Sequence, residues 1–386
     1  MSDLLEKTLS RVSESSLVFA KSLSPNDTGL TGGHQCGIYI PKQSVKLIFA
    51  EPFERGSNHE RFAQITWNDE LTTDSRFIYY GVGTRNEYRI TRFGRGFDLL
   101  KPNHTGDVVV ICKNTDEQYY AYVLSTDDEI QGFLDFLSIP ITSLGGIVKD
   151  EATYANHTEE GIYEDYYIRF GSDFPSTLIM AVSAQEIDKI LNCGDIDLSP
   201  DDLLLRWIET EYALFKYIEK RHYCFVVEEP AKSLDDFVQT GLEITNRRKA
   251  RAGKSLEHHL AALFDIYELD YSAQAKTELK KKPDFIFPSE EAYQDSSFPE
   301  DKLIFLGSKT TCKDRWRQVL SEADRIKDKY LFTLQQGVSP NQLEEMHAEH
   351  LTLVVPAAYH GFYPKTDFES VISLTEFIQR VKKLQS

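Results

Sequence analysis

The chain has 386 residues, 41% hydrophobic and 12% aromatic, which is ample for packed cores, and domains usually run to roughly 100–200 residues, so two are expected. No apolar run approaches the ~20 residues of a membrane span, and the charged start MSDLLEKTLSRVSESS lacks the apolar centre of a signal peptide. The five cysteines (Cys36, Cys112, Cys193, Cys224, Cys312) lie far apart without a C-x-x-C pair, which argues against zinc ribbons and disulfide frameworks and fits a reducing cytosol, while a net charge of −18 sits badly with a polyanion partner.

Residues 3–22 carry apolar positions at helical spacing and predict an amphipathic helix. From about 37 to 126 the pattern changes to short β-rich runs (GIYIP, VKLIFA, RFIYYGV, DVVVIC, QYYAYVL) punctuated by Asn, Asp, Gly and Pro, the signature of an all-β barrel or sandwich. DEIQGFLDFL, near 128–137, predicts a closing helix, and the acidic, Tyr-rich stretch around 150–170 a domain junction. Beyond it Ser199-Pro200-Asp201 caps a predicted helix through LLLRWIETEYALFKYIEK. A second helix is expected after GKS, with Leu256, Leu260, Leu263 and Phe264 on one face. Strands at PDFIF and KLIFLGSK, a helix over KDRWRQVLSEADRI, strands at KYLFTL and LTLVVP, and a last helix at ISLTEFIQRVKKLQ complete the chain. Strands alternating with helices imply a mixed, largely covered sheet.

Global charge governs solubility and steering, whereas binding depends on where the positive groups sit. Between Asp150 and Asp202 there are 13 acidic residues against two basic ones, Arg169 and Lys189. The basic residues gather elsewhere: Arg85, Arg89, Arg92 and Arg95; Arg247, Arg248, Lys249, Arg251 and Lys254; Lys280, Lys281 and Lys282; Lys309, Lys313, Arg315 and Arg317. Any one group reads as solvated surface; four of them against an acidic background point toward a polyanion.

The chemistry-bearing constellation is Pro283-Asp284, then Ser308-Lys309 closing the next hydrophobic strand, then Glu322 on the following helix. Phosphodiester hydrolysis needs carboxylates to hold a hard divalent cation, a cation or base near the attacking water, and neutralisation of the leaving oxygen. Neighbouring strands presenting Asp284 and Lys309, with Glu322 converging and Glu257 as a second acidic ligand, would supply these. Taken singly, each has an ordinary reading: a turn aspartate, a strand-end lysine, a helix-surface glutamate. The run KTTCKDRWRQVLSEADRI changes the balance, because Lys313 and Arg315 can donate to guanine O6 and N7 while Asp314 accepts from cytosine N4.

At these residues the sequence resembles the EcoRII-type restriction endonucleases of the type IIE class. NRRKARAGKSLEHHL, KKPDFIFPSEEAY and KTTCKDRWRQVLSEAD carry the likeness in the second half, and NDTGLTGGHQCGIYIP and TRNEYRITRFGRG in the first. The resemblance implies a multidomain α+β chain. A B3-like β-barrel effector domain over 1–165 would precede an α/β endonuclease domain of the PD-(D/E)xK kind over 172–386. Gly307 stands where the standard motif has its second acid, and Glu322 is at the displaced position. The likeness makes Asp284, Lys309 and Glu322 the catalytic core, with Glu257 supporting, Asp284, Glu322 and Glu257 as Mg²⁺ ligands, and no organic cofactor. Tyr293 falls in the matching FPSEEAY stretch, with a site role and a packing role equally expected. Lys313, Asp314 and Arg315 match the segment that reads outer C·G pairs. Relatives flip the central base against a ring and an arginine; Tyr212 is the candidate ring, but Ile208 stands at the arginine's place. In the effector domain the resemblance assigns DNA contacts to His34, Tyr39, Arg85, Glu87 and Arg89, with Tyr88 departing from a more familiar basic residue.

The expected activity is Mg²⁺-dependent cleavage of double-stranded DNA at CCWGG or a related CC-GG sequence. A cytoplasmic bacterial homodimer would do it, activated by a further bound copy of the site. The rivals are a DNA-binding regulator that has lost cleavage and a repair nuclease on the same core.

Overall fold

A computed structural model describes residues 1–32, 37–114, 117–150, 160–171, 173–192, 198–228, 231, 233–278 and 281–386. Contacts divide the chain into two units, Met1–Tyr154 with Gln335–Glu345 and Tyr359–Phe368, and Ala155–Leu334 with Met346–Ala358 and Glu369–Ser386. The fold is α+β and multidomain.

The first unit holds α1 (Asp3–Glu14), β1 (Leu17–Ser22), β2 (Ile38–Ile40), β3 (His59–Trp67), β4 (Leu71–Tyr80), β5 (Glu87–Thr91), β6 (Val108–Lys113), β7 (Tyr119–Leu124), α2 (Asp127–Leu137) and β8 (Gly146–Asp150). The strands form one eight-stranded sheet in the order β2-β5-β4-β3-β7-β6-β1-β8, antiparallel except for β3 beside β7. The sheet curls into a nearly closed barrel. A 3₁₀ turn, Lys42–Leu47, follows the edge strand β2 and touches the other edge strand, β8, as well as β1 and β5. Phe19, Ile38, Ile65, Trp67, Phe77, Tyr79, Tyr88 and Ile111 fill the interior. β6 reads as an apolar run up to Lys113 because α1 lies against β6 and β7, so that both faces of β6 are buried.

Two expectations fail here for local reasons. The helix predicted over 3–22 ends at Glu14: the Ser15 hydroxyl turns back to the Arg11 carbonyl at 2.8 Å, and Leu17–Ser22 pairs as a strand with β6. VKLIFA is not a strand, because Pro41 opens the 3₁₀ turn that carries its first residues.

The second unit contains α3 (Glu160–Phe170), α4 (Thr177–Leu191), α5 (Pro200–His222), α6 (Phe225–Glu228), α7 (Leu234–Ile266), β9 (Ser272–Ala273), β10 (Phe285–Phe287), α8 (Glu290–Gln294), β11 (Ile304–Lys309), α9 (Trp316–Leu320), β12 (Lys329–Thr333), α10 (Pro340–Ala348, whose first residues belong to the first unit), β13 (Leu351–Val354), β14 (Val371–Ile372) and α11 (Leu374–Gln385). Its sheet has the order β14-β13-β12-β11-β10-β9, parallel from β11 to β14 and antiparallel from β11 to β9. Ser199 caps α5 as the sequence predicts, accepting from the Asp202 amide at 3.1 Å.

The GKS stretch does not begin a helix; it lies inside α7, which runs 33 residues. Gly253 costs a helix interior about 1 kcal/mol, and side-chain bonds to α5 offset it. Arg248 grips Glu219 with two bonds of 2.7 and 2.8 Å, Ser255 donates to Glu211 at 2.6 Å, and His259 lies 2.8 Å from the same carboxylate.

Candidate active site and nucleic-acid interface

β10 and β11 pair antiparallel with Phe285 opposite Leu306. Asp284, one step earlier, therefore falls opposite Gly307, on the face that also takes Lys309, since alternate strand residues share a face. The Ser308 amide donates to Asp284 Oδ2 at 2.8 Å, and Lys309 Nζ lies 3.6 Å from the same oxygen. Asp284 Oδ1 accepts from Gln274 Nε2 at 3.1 Å. That amide also donates to Glu257 Oε2 at 3.0 Å, bringing the α7 carboxylate to the strand pair. Lys254, one turn earlier, stands 3.1 Å from Glu257.

Glu322 is not on a helix. α9 stops at Leu320, and Glu322 lies in the turn beyond it, its amide donating to the Val319 carbonyl at 3.1 Å, ahead of Ala323 at φ +52°. Gly307 explains the displaced acid: a Cβ there would stand 2.8 Å from Val319 Cγ1. A side chain at 307 would have to push Val319 of α9 aside, and the carboxylate arrives from the far end of the helix instead. Tyr293 anchors this turn. Its hydroxyl donates to Glu278 Oε1 at 2.5 Å and accepts from the Arg325 amide at 3.3 Å, while Glu278 Oε2 accepts from the Asp324 amide at 3.2 Å. Burial, and then the Glu278 carboxylate, keep that hydroxyl protonated.

The electrostatics mark Asp284, Glu257 and Glu322 as one group. Burial and then the charge of Asp284 push the Glu322 carboxyl up to about 7, against the opposing pull of Lys309, Lys281 and Lys329. Burial and then Asp284 also raise Glu257, against Lys254 and Lys309. Among the described residues no three His, Cys, Asp or Glu side chains stand as a ready-made metal cage. The chemistry of the donors nevertheless fits a hard divalent cation. All are carboxylate oxygens, their mutual repulsion is only partly neutralised, and Mg²⁺ is commonly held by one or two carboxylates with water completing the shell.

Lys313, Asp314 and Arg315 form the turn between Lys309 and α9, with Lys313 buried, Asp314 exposed and Arg315 between the two. Tyr212 is buried on α5, and an arginine does meet its ring: Arg251 of α7, with its guanidinium carbon 3.5 Å from the Tyr212 centroid and 4.0 Å from that of Phe215. Ile208 is a core residue. In the first unit Arg85 is exposed, 5.2 Å over the Tyr80 ring. Tyr39 is 38% exposed, and its amide donates to Asp27 at 3.0 Å. Arg89 is only 4% exposed and spends its guanidinium on Glu87 and the Gly37 carbonyl, each at 3.3 Å. Tyr88 turns into the barrel, stacked 4.6 Å from Tyr79. His34 lies outside the described residues. Sequence reasoning missed Gln274 and Lys329, neither of which carries a motif, and had counted Lys281 and the ring partner Arg251 only as members of basic groups.

Two family models match the chain: "EcoRII C terminal" over residues 215–378 and "Restriction endonuclease EcoRII, N-terminal" over 12–137. The type II restriction enzyme EcoRII of Escherichia coli is 38% identical over 399 aligned positions, covering 96% of this chain and 95% of that protein. The type II restriction enzyme SsoII of Shigella sonnei is 24% identical over 170, covering 42% of this chain and 53% of that enzyme. Among solved structures, metal-depleted Ecl18kI with uncleaved, modified DNA is 17% identical at a TM-score of 0.43, covering 59% of this chain and 85% of that one. The PspGI–substrate DNA complex is 14% identical at 0.43, covering 55% and 93%. Asp284, Lys309, Glu322 and Glu257 all fall inside the C-terminal match.

Proposed function

The chain belongs to the EcoRII family of type II restriction enzymes, and on that footing we propose that Asp284, Lys309, Glu322 and Glu257 are the centre at which it cuts double-stranded DNA. It is a type II restriction endonuclease, a DNA-binding nuclease that depends on a divalent metal. The finer reading is that the ion is Mg²⁺, held by Asp284 and Glu322 with Glu257 in support. The observation that carries it is the strand pair that aims Asp284 and Lys309 at one another, 3.6 Å apart, beside two carboxyls, Glu322 and Glu257, that the charge of Asp284 helps to push upward.

When bound, Mg²⁺ supplies a water of lowered pKa and positive charge at the phosphate. The chain does the rest. The Ser308 amide fixes the Asp284 carboxylate. Lys309 Nζ donates to the attacking water or a non-bridging phosphate oxygen, lowering the charge that builds there. Glu322 must give up its proton to serve, and Tyr293 with Glu278 holds the turn that follows it. The attack leaves 5′-phosphate and 3′-hydroxyl ends.

We take the target to be CCWGG or a close CC-GG relative. Lys313, Asp314 and Arg315 would read the outer pairs, and Tyr212 with Arg251 would stand near the centre. A homodimer in the bacterial cytoplasm would place one centre on each strand, as two-fold DNA symmetry favours. The domain boundaries follow the sequence, with a B3-like effector domain over 1–165 and an endonuclease domain over 172–386. The effector domain would hold further copies of the site through Arg85 and Tyr39, with His34, and the paired Glu87 and Arg89 would have to part before either touched a base. Sequencing the ends released from a plasmid of known sequence tests this reading. Discrete bands ending at CC-GG sites are expected; cutting without a fixed sequence would favour a repair nuclease. Tight binding to those sites with no nicking would favour a regulator.

A further inference from the structure

Gln274 stands in an unusual place. Its side-chain amide nitrogen is 3.0 Å from Glu257 Oε2 and 3.1 Å from Asp284 Oδ1, the donor between two carboxylates that no lysine among the described residues bridges jointly. Both partners are acceptors, so the atom facing them is the nitrogen and not the amide oxygen. The backbone is committed to the task. Gln274 follows the two-residue strand β9 at φ +52°, a left-handed conformation that side-chain-bearing residues adopt rarely, and its own amide donates to the Asp284 carbonyl at 3.0 Å. Main chain and side chain of one residue thus hold both ends of Asp284.

We infer that Gln274 is a displaceable stand-in for the cation: its amide nitrogen occupies the gap between Glu257 and Asp284 and must swing out before a divalent ion can be shared by them. This rests on the reading of those carboxylates as the metal site. The geometry leaves no room for both. An ion bound to the two carboxylates sits about 2.0–2.1 Å from their oxygens if it is Mg²⁺, inside the space the amide now bridges. The amide also has a use before the ion arrives. It keeps two like charges from pushing the α7 and β10 carboxylates apart, so the pair is already near its working spacing. Gln274 is therefore a positioning residue that competes with the ion.

The consequence is contrary to what a simple ligand or clamp would give. Removing the amide leaves the carboxylates less satisfied and removes the step of displacing a hydrogen-bond donor, so the ion binds more tightly. Gln274→Ala keeps a Cβ at the left-handed position and adds no backbone cost. Gln274→Met keeps the side chain's length without its donor, which gives a second variant that packs. Mn²⁺ binding to the full chain without DNA, followed by the loss of its free electron-spin signal, reads this directly. Both variants are expected to bind Mn²⁺ more tightly than the wild type, by roughly tenfold, the worth of about one charged hydrogen bond. Asp284→Asn is run beside them. If Asp284→Asn loses Mn²⁺ while both Gln274 variants bind it unchanged or more weakly, the site stands and the stand-in does not. If Asp284→Asn binds Mn²⁺ as the wild type does, the metal site itself is elsewhere and the inference falls with it.

Discussion

At Glu322 burial and the neighbouring charge of Asp284 act in the same direction, holding a proton on a carboxyl up to about pH 7. The folded value lies above the ordinary 4.5, so the protonated form is favoured on folding. Without a metal, the protein then loses stability as pH rises from about 4.5 through about 7. Glu322→Gln should accordingly stabilise the metal-free protein at pH 8, by roughly 1–2 kcal/mol after allowance for the site's partial exposure, and change little at pH 4. Chemical denaturation at the two pH values measures this; an equal effect at both would contradict the assignment. The same titration makes metal binding compete with one proton below about pH 7, so the Mg²⁺ needed for half-maximal cutting should rise about fivefold from pH 7 to pH 6.

The secondary-structure elements explain why the sequence could be read at some positions and not at others. Asp284 and Lys309 were legible because strand ends adjacent in the chain are adjacent in the sheet. Glu322 was legible as a residue through its family's displaced motif, but its element was not: the run KDRWRQVLSEADRI keeps helical spacing, yet only five residues of it coil, Trp316–Leu320. The fit of Gly307 against Val319 is a tertiary fact no local pattern records. It predicts that Gly307→Ala destabilises by about 1–3 kcal/mol through overpacking. Val319→Ala in the same chain should recover part of that loss, a coupling that a double-mutant cycle on thermal unfolding would detect. Independent effects would mean that α9 moves aside. Asp201 is another junction, legible beforehand only as a cap neighbour. Buried at the start of α5, its carboxylate accepts from the amides of Ala357, Leu374 and Thr375 at 3.0, 2.9 and 3.0 Å, tying α5 to the start of α11. Asp201→Ala leaves those donors unmatched and should cost roughly 3 kcal/mol of stability while the active-site carboxylates keep their partners.

For the whole molecule the question is how a chain of net charge −18 holds DNA. Its basic residues gather on α7, on the loop after Lys309 and beside the β4–β5 turn at Arg85, against an acidic stretch from 150 to 202. Binding by local basic groups is steeply salt-dependent, so affinity for a CC-GG duplex should fall by at least tenfold between about 50 and 200 mM salt. A fall of less than twofold would speak against phosphate contacts as the main source of affinity. The barrel was legible as a class from its short β-rich runs, which mark β2, β4, β6 and β7; β1 was hidden in a helical spacing, the charged outer positions of β3 hide its period, and β5 and β8 carried no run of their own. The contact-based division of the chain was not legible, because Gln335–Glu345 and Tyr359–Phe368 lie in the second half of the sequence but belong with the first unit, where Gln335 donates to the Gly106 carbonyl at 2.9 Å.

The most direct test of the account is plasmid cleavage in Mg²⁺ by Asp284→Asn, Lys309→Ala and Glu322→Gln, measured beside binding of the same proteins to a CC-GG duplex. Each variant should bind the duplex as the wild type does and lose cutting by a factor of a thousand or more, on the order of the 4 kcal/mol expected when a group acting on the transition state is removed. Undiminished discrete bands from any one of them would contradict the claim that these three side chains form a single catalytic centre.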